Sequence, residues 1–409
     1  MKKRLLFVDD EPLVLNGLRR SLHCMRDAWD MHFVEGAAEA LATLEHEKYD
    51  AIVSDMRMPV MDGADLLDQV KQRYPEMVRM ILSGQSSKEA VYRSISPAHQ
   101  FLSKPCNPEE LSSRLSQAFA MRDLLANEAL KTVISRLRCI PSLPTLYEEL
   151  TVALNSEDYS LAGIAKTISK DVGMAAKILQ LANSAFVGAS GRISSLPQAL
   201  TLVGAETVRT LVLSVHVFSQ FDGNPKVAAS LPALWDHSTA VSTLAHRIAS
   251  AENAPKVLME ECFTAGLLHD IGKAVMMAEL PSEHLQLFTA HSGASTELER
   301  ERLGCTHAEV GAYLMSIWGL PFSLVRAVAY HHHPGEMAEA TFSSLTAVHA
   351  ADAITSETDP SPLNHDATMD LSYLERLGLS GREKVWRDLY KTSPNHQEVN
   401  GSCLQSASH

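Results

Sequence analysis

The sequence predicts two domains of different fold class: an α/β domain with a doubly wound parallel sheet of five strands, and an all-α domain after it. Up to about residue 120, short apolar runs alternate with segments of helical periodicity, as in parallel sheets with helices on both faces. Between residues 145 and 355 nearly every segment has helical periodicity and strand patterns disappear. The chain has 409 residues, which is enough for two or three domains of ordinary size.

Polar residues follow four of the apolar runs in the α/β domain. Asp9 and Asp10 end the first run, Asp55 ends another, and Ser83 and Lys104 end two more. The carboxyl ends of parallel strands meet at one edge of a doubly wound sheet, so these five side chains are predicted to lie together. Three clustered carboxylates repel one another unless a hard cation such as Mg²⁺ joins them.

This set of residues favours a phosphoryl-transfer site. With a cation bound, Asp55 is available to attack a phosphoryl group and form an aspartyl phosphate. Lys104 would neutralise phosphoryl oxygens, and Ser83 would donate a hydrogen bond to one of them. In a simpler interpretation Asp9 and Asp10 cap a helix and Lys104 is a solvated surface residue. Five such residues at successive strand ends make the simpler interpretation the weaker one.

Residues 1 to about 120 resemble a response-regulator receiver domain. The positions that match the family's functional residues are the acidic pair Asp9 and Asp10, the phosphoacceptor Asp55, the hydroxyl residue Ser83 and Lys104. The resemblance implies a flavodoxin-like fold and phosphorylation of Asp55 by a cognate sensor histidine kinase.

The same resemblance implies further details of the site. It implies an Mg²⁺ ion held by Asp9, Asp10, Asp55 and the backbone carbonyl of Arg57. The family's switch aromatic falls on Phe101, which lacks the hydroxyl of tyrosine and so acts through packing. A cis peptide bond before Pro105 is also implied.

The composition excludes several classes of partner. The formal net charge of -13 argues against nucleic-acid binding and against attraction to anionic membranes. The six cysteines are scattered and show no CxxC spacing, and the sequence shows no signal peptide, which predicts a reduced, cytoplasmic bacterial protein. No apolar run has membrane-spanning length, so no membrane insertion is expected.

The segment between the two domains is predicted to be helical. A helix begins at Pro108 with Asn107 as its cap, and its apolar pattern continues to residue 139. This predicts one continuous or broken helix that bridges the domains; the alternative is a short helix followed by a disordered linker. The predicted boundaries are 1–120 for the receiver domain, 121–139 for the helical linker, 140–380 for the all-α domain and 381–409 for a polar, disordered tail.

Helical periodicity gives the elements of the all-α domain. The predicted helices are 145–155, 160–169, 173–185, 197–203, 205–220, 232–251, 259–278, 306–318, 321–333 and 342–355.

A second group of candidate site residues lies in these helices. Asp270 follows His269 directly, and an imidazole next to a carboxylate suits a transition metal or Mg²⁺. Helical phasing adds four residues whose apolar neighbours face the same core, namely His237, His307, His332 and Asp352. By the same phasing His246, His331 and His333 are predicted to point elsewhere. Six ionisable residues facing one core require an ion or mutual hydrogen bonds, so the sequence predicts either a centre for Fe, Mn, Zn or Mg²⁺ or a closed polar network without metal.

Residues from about 137 to 335 resemble the HDOD domain, a signalling domain related to the HD phosphohydrolases. The stretches that match in order are 140–144, 181–186, 235–238, 266–273 and 307–321. Many HDOD domains have lost the metal ligands of the HD phosphohydrolases, whereas this chain keeps a residue of ligand type at each matching position. It also resembles the HD-GYP phosphodiesterases, which cleave cyclic di-GMP, but their GYP segment is absent after His332 and His333.

The sequence is therefore consistent with two functions for the HDOD domain. In the first, phosphorylation of Asp55 controls an HDOD domain that binds an unidentified downstream protein or a second copy of the chain. In the second, the HDOD domain is a metal-dependent phosphohydrolase that acts on a nucleotide or cyclic dinucleotide, with Lys273 as a candidate catalytic residue. The missing GYP segment favours the first function, and the retained ligand set favours the second.

Overall fold

The structure is a computed structural model, and it describes residues 2–83, 98–104, 107–124, 150, 161–183, 193–204, 208, 225–279, 295–337, 339–357 and 367–392. The chain divides into two compact units. One comprises Met1–Arg138, Gln180–Arg192 and Tyr313–Leu320, and the other comprises Cys139–Leu179, Ile193–Ala312 and Pro321–His409.

Five parallel strands form the sheet of the α/β domain, as predicted. They are β1 (Lys3–Val8), β2 (Trp29–Val34), β3 (Ala51–Asp55), β4 (Val78–Ser83) and β5 (Gln100–Ser103). Their order is β2-β1-β3-β4-β5, which is the order of a flavodoxin-like doubly wound sheet. Val8 pairs with Ser54 in the parallel register of β1 and β3, so the next residue along β1, Asp9, comes to lie beside Asp55.

Four helices of the α/β domain are described, and two of them begin with a side-chain cap. The helices are α1 (Pro12–Ser21), α2 (Ala37–His46), α3 (Gly63–Arg73) and α4 (Pro108–Leu124). Asp62 caps α3 by accepting a hydrogen bond from Asp65 N at 2.9 Å. Asn107 caps α4 by accepting one from Glu109 N at 2.9 Å, which confirms the predicted start of this helix. The rest of the predicted bridging helix, 125–139, and the peptide bond before Pro105 lie outside the described residues.

The second part of the chain is helical, as predicted. Its described helices are α5 (Leu161–Ile168), α6 (Val172–Ala182), α7 (Leu196–Val203), α8 (Pro225–Ala251), α9 (Lys256–Leu268), α10 (Ile271–Glu279), α11 (Thr296–Leu303), α12 (His307–Ile317), α13 (Phe322–Tyr330), α14 (Ser344–Ser356), α15 (Leu371–Arg376) and α16 (Arg382–Lys391). Helix α8 packs against α9 and α14, and α14 also packs against α9 and α13. Apart from Leu150 and Val208, the predicted helices 145–155 and 205–220 lie outside the described residues.

The structure corrects the sequence-based boundaries of several helices. The predicted helix 259–278 is two helices, because α9 ends at Leu268 and α10 begins at Ile271. Helices α11, α15 and α16 were not predicted, because their sequences are mostly polar and their apolar faces are narrow.

The prediction that the polar tail begins at residue 381 was wrong. Residues 382–391 form α16, and its Trp386 is fully buried. Trp386 Nε1 donates a hydrogen bond to Glu252 at 2.8 Å, and Arg382 Nε donates to the same oxygen at 2.7 Å. One large buried ring fixes a helix that is otherwise polar, and a single aromatic residue gives little periodic signal.

Among the described residues, no helix is both long enough and apolar enough to cross a lipid bilayer.

Candidate phosphoacceptor and metal-binding sites

Asp55 ends β3 in a buried position, and its carboxylate is held by two donors. Arg57 N donates to Asp55 Oδ2 at 2.5 Å, and Lys104 Nζ pairs with Asp55 Oδ1. Lys104 Nζ also donates to Asp9 Oδ2 at 2.6 Å. Burial lowers the pKa of Lys104, but the bonds to Asp55 and Asp9 outweigh burial and raise it, so the side chain stays an ammonium ion.

The other predicted residues of this edge take different positions. Lys104 N donates to Ser83 O at 2.8 Å, which places the hydroxyl residue on the same sheet edge. Asp10 is exposed, and the three carboxylates do not gather within metal-ligand distance of one another. The reason is that Lys104 draws Asp9 and Asp55 together, whereas Asp10 faces water. The donors are all oxygen atoms, which fits Mg²⁺, and the side chain of Phe101 lies outside the described part of the chain.

The helical part of the chain contains the second predicted site, which is built around a helix break. His269 and Asp270 form the turn between α9 and α10, and both are fully buried. His269 keeps helical backbone angles at the end of α9. Both side chains reach one centre, with His269 Nε2 3.4 Å from Asp270 Oδ2.

One set of donor atoms surrounds His269. His237 from α8 places Nε2 3.1 Å from Asp352 Oδ1, which comes from α14. His269 Nε2 lies 3.7 Å from the same oxygen and 3.4 Å from Asp270 Oδ2. The donor atoms of His237, His269 and Asp352 all lie within 4.8 Å of one another, and we call them the first donor set.

A second set lies on the other side of Asp270. His307 is the first residue of α12, and His331 and His332 follow the end of α13. His307 Nε2 lies 3.1 Å from His332 Nε2 and 3.2 Å from Asp270 Oδ1, and His331 Nε2 lies 3.8 Å from that oxygen. The second donor set consists of His307, His331 and His332. Asp270 lies between the two sets, with Oδ2 near His269 and Oδ1 near His307.

Hydrogen bonds fix the tautomers of two of these histidines. His269 Nδ1 donates to Gly266 O and His331 Nδ1 donates to Val328 O, both at 2.7 Å, because a carbonyl oxygen can only accept. In the neutral rings the Nε2 atoms therefore carry lone pairs, and these lone pairs face the cluster.

The cluster contains buried polar atoms that lack a hydrogen-bond partner among the described residues. They are His269 Nε2 and His331 Nε2, and both lie near the carboxylate of Asp270. Buried polar atoms are paired in the great majority of cases. A metal cation satisfies such a set, and mixed imidazole and carboxylate donors suit Fe, Mn or Zn.

The charges of the cluster differ from one residue to the next. Burial, with the neighbouring His269, lowers the pKa of His331 to about 3, and burial with His331 lowers that of His332 well below its usual range. Both rings are thus in the neutral form that binds metals. Burial opposes a charge on His307, but Glu299 outweighs it and raises the pKa of His307 to about 9.

Lys273 supports the carboxylate that lies between the two sets. Its Nζ donates to Asp270 Oδ2 at 2.7 Å, one turn along α10. Burial lowers the pKa of Lys273, but Asp270 outweighs this effect and raises it. Burial would raise the pKa of Asp270, yet His269 and Lys273 hold it well below the usual range. Asp270 is therefore ionised and available to a cation on either side.

Comparison with known protein families agrees with the two predicted domains. The profile of the response regulator receiver domain matches residues 5–116, and the profile of the HDOD domain matches residues 140–334. The chain is a response regulator with an HDOD domain. The receiver match contains Asp9, Asp55 and Lys104, and the HDOD match contains every cluster residue except Asp352.

Several individual proteins are similar to this response regulator over part of their length. An uncharacterized protein of Treponema pallidum (strain Nichols) is 27% identical over 216 residues, which are 49% of this chain and 39% of that protein. The hydrogenase transcriptional regulatory protein HoxA of Cupriavidus necator is 33% identical over 121 residues, which are 29% of this chain and 24% of that protein. The chain thus spans well under half the length of these curated relatives.

A solved structure is also similar. The MmoQ response regulator from Methylococcus capsulatus str. Bath is 26% identical, and the match covers 61% of this chain and 98% of that chain with a TM-score of 0.45.

The structure brings the six predicted HDOD residues together and adds one that was excluded. His237, His269, Asp270, His307, His332 and Asp352 all belong to the cluster. The prediction that His331 points elsewhere was wrong, because His331 is buried and belongs to the second donor set. His331 keeps helical backbone angles after Tyr330, but its ring and that of its neighbour His332 both reach the cluster, whereas phasing assigned only one of the two residues to it. His333 is exposed, and neither it nor His246 belongs to a donor set of the described residues.

Sequence reasoning also missed Glu299. This residue is fully buried in α11, and both its carboxylate oxygens contact the His307 ring. The segment 296–303 is rich in charged residues, so its one inward-facing glutamate resembles the exposed ones around it. The spacing of eight residues between Glu299 and His307 gives no recognisable signal.

Proposed function

We propose that phosphorylation of Asp55 controls the HDOD domain, and that the HDOD domain acts as a metal-stabilised signalling module that binds a downstream protein. The phosphoryl donor is a sensor histidine kinase or a small phosphodonor. The role proposed for the HDOD domain is supported by the positions of the cluster residues in the chain. They come from α8, the α9–α10 turn, α12, the end of α13 and α14, so occupancy of the cluster acts on the packing of five segments at once.

The positions of three side chains support the proposed receiver step. An oxygen of Asp55 forms a bond to phosphorus as the donor's leaving group departs. Lys104 contacts both Asp55 and Asp9, so its ammonium group is in place to neutralise phosphoryl oxygens. An Mg²⁺ ion held by Asp9, Asp10 and Asp55 with the Arg57 carbonyl would offset the charge of the incoming phosphoryl group.

Labelling with acetyl phosphate and Mg²⁺ tests the receiver step. Asp55→Asn should abolish labelling, because the amide is not a nucleophile, and Asp10→Asn should raise the Mg²⁺ concentration needed. Asp68→Asn, on the outer part of α3, is the matched control and should label like the wild type. If Asp55→Asn labels as strongly as the wild type, Asp55 is not the phosphoacceptor.

Metal analysis of the purified chain tests the role proposed for the HDOD domain. We expect up to two metal ions per chain, one for each donor set. Phosphorylation should alter hydrogen exchange in α8 and α14, which carry His237 and Asp352, because a controlled module must change its population of packed states. Identical exchange with and without phosphorylation, or a chain that binds no metal, contradicts the proposal.

A metallophosphohydrolase is the second candidate, and one observation favours it. An open polar cavity of about 570 Å³ reaches His332 of the second donor set, and Glu297, His333 and Asp370 also line it. A bound metal would supply Lewis acidity and lower the pKa of water. The chain's own contribution is to hold Asp270 ionised through Lys273 and to admit a ligand beside His332.

The two candidates differ in one assay. Metal-loaded protein is incubated with cyclic di-GMP and with a generic phosphodiester. The module predicts no turnover and a lower melting temperature for His269→Ala, because Gly266 O and Asp270 lose a buried neighbour. Turnover by the wild type, with a folded but inactive His269→Ala, would establish the hydrolase instead.

A further inference from the structure

We infer that Glu299 is a positioning residue for the second donor set: it fixes the tautomer and orientation of His307 so that Nε2 binds a metal ion. This inference rests on the proposed metal site. Glu299 Oε2 accepts a hydrogen bond from His307 N at 2.7 Å. The ring atom His307 Nδ1 lies 2.9 Å from Oε1 and 2.8 Å from Oε2 of the same carboxylate.

The local chain path brings the two residues together. Gly304 ends α11 with a φ of 74°, a left-handed conformation that glycine adopts without steric cost, and α12 begins three residues later at His307. Glu299 thereby faces the N-terminus of α12. Capping of that helix accounts for the bond to the backbone N–H but not for the contacts to the ring. The ring contacts are the observation that indicates a second role.

The ring contacts decide which nitrogen of His307 faces the cluster. A carboxylate only accepts hydrogen bonds, so Nδ1 keeps its proton, and Nε2 on the cluster side is the nitrogen that releases its proton when a metal ion binds. That Nε2 lies 3.2 Å from Asp270 Oδ1 and 3.1 Å from His332 Nε2. An acceptor behind the ring of a metal-binding histidine fixes its tautomer and strengthens its donation to the metal.

Glu299 differs in kind from the acceptors behind the other two fixed rings. His269 and His331 each donate Nδ1 to a neutral backbone carbonyl, whereas His307 donates to a carboxylate. A charged acceptor polarises the imidazole more strongly, which makes His307 the strongest imidazole donor of the second set. The first donor set has no residue in hydrogen-bond contact with Glu299 among the described residues, so removing the charge should affect the two sets unequally.

The experiment uses the full chain, freed of metal with a chelator and then titrated with Co²⁺. Cobalt binding is followed by visible absorption and by equilibrium dialysis. Glu299→Gln keeps an acceptor oxygen for His307 N but removes the charge. Glu301→Gln, on the exposed side of the same helix, is the matched control. We expect two Co²⁺ equivalents in the wild type and in Glu301→Gln. In Glu299→Gln the second equivalent should bind about 10- to 100-fold more weakly, with the first unchanged.

Two further measurements separate positioning from a purely structural role. The metal-free melting temperature of Glu299→Gln should stay close to that of the wild type, and the absorption bands of the second cobalt ion should change. Glu299→Asp keeps the charge on a shorter side chain and should recover part of the affinity, which provides a test even if Glu299→Gln does not fold.

Three outcomes overturn the inference in distinguishable ways. If Glu299→Gln binds both cobalt ions like the wild type, Glu299 does not position His307, and the metal site itself still stands. If both equivalents weaken together with a fall in the metal-free melting temperature, Glu299 is only a helix cap. If the wild type binds no cobalt, the proposed metal site fails and the inference fails with it.

Discussion

Gly272→Ala is the substitution whose effect the structure predicts most directly. A Cβ at this position in α10 would lie 1.9 Å from His307 O and 2.8 Å from Gly311 N. Both of these atoms belong to the backbone of α12 and cannot move without the helix. Ordinary contact begins at 3.4 Å, so going from 1.9 Å to 3.4 Å requires α10 and α12 to separate by about 1.5 Å.

The cost of this separation can be estimated. Overpacking of a core costs about 1–3 kcal/mol, and rigid backbone neighbours place Gly272→Ala near the upper end, at about 3 kcal/mol. In a domain of this size each kcal/mol lowers the melting temperature by roughly 2–4 °C, so we expect a fall of about 6–12 °C. His307 moves with α12, and metal ligands tolerate displacements of only about 0.2 Å, so the second metal ion should be lost while the first remains.

Scanning calorimetry and cobalt titration measure the two effects. Gly17→Ala is the control, because no atom lies within 4 Å of the added Cβ and alanine favours the interior of α1. It should be neutral or stabilise by about 0.5–1 kcal/mol. The reasoning is refuted if Gly272→Ala has the same melting temperature as the wild type and still binds two cobalt ions. The contact between α10 and α12 would then not be as close as described.

Two other predictions concern the stability of the helical part. Trp386→Ala removes the fully buried ring of α16 and should lower the free energy of unfolding by about 3–5 kcal/mol. Val385→Ala changes an exposed residue of the same helix and should alter the free energy of unfolding by less than about 0.5 kcal/mol. Equal urea midpoints for the two variants would mean that α16 does not stabilise the domain. Burial lowers the pKa of His331 from 6.5 to about 3, so the unfolded chain binds the extra proton in this window. Chelator-treated protein should therefore lose stability as the pH falls below 6.5, and a urea midpoint that is the same at pH 5 and pH 7 would contradict this.

The sequence by itself determined the fold class and several of the side chains that meet at the receiver edge. Parallel strands must place their carboxyl ends at one edge whatever the details of packing, so residues such as Asp9, Asp55 and Lys104 converge once the strands are recognised. The apolar helical faces similarly directed His237, His307 and Asp352 toward one core. Both inferences depend only on periodicity within regular elements, which the sequence records directly.

Tertiary structure decided what lies at the ends of those elements. Periodicity gives adjacent residues different directions, so the sequence could not show that His331 joins His332 at one centre. It also could not show that the chain turns at His269 and Asp270. Glu299 is one glutamate among several in α11, and only the packing of α11 against the start of α12 makes it a partner of His307. The α16 helix depends on one buried ring meeting Glu252, a contact between residues 134 positions apart. Contacts of this kind arise from the assembled fold, and no local pattern in the chain encodes them.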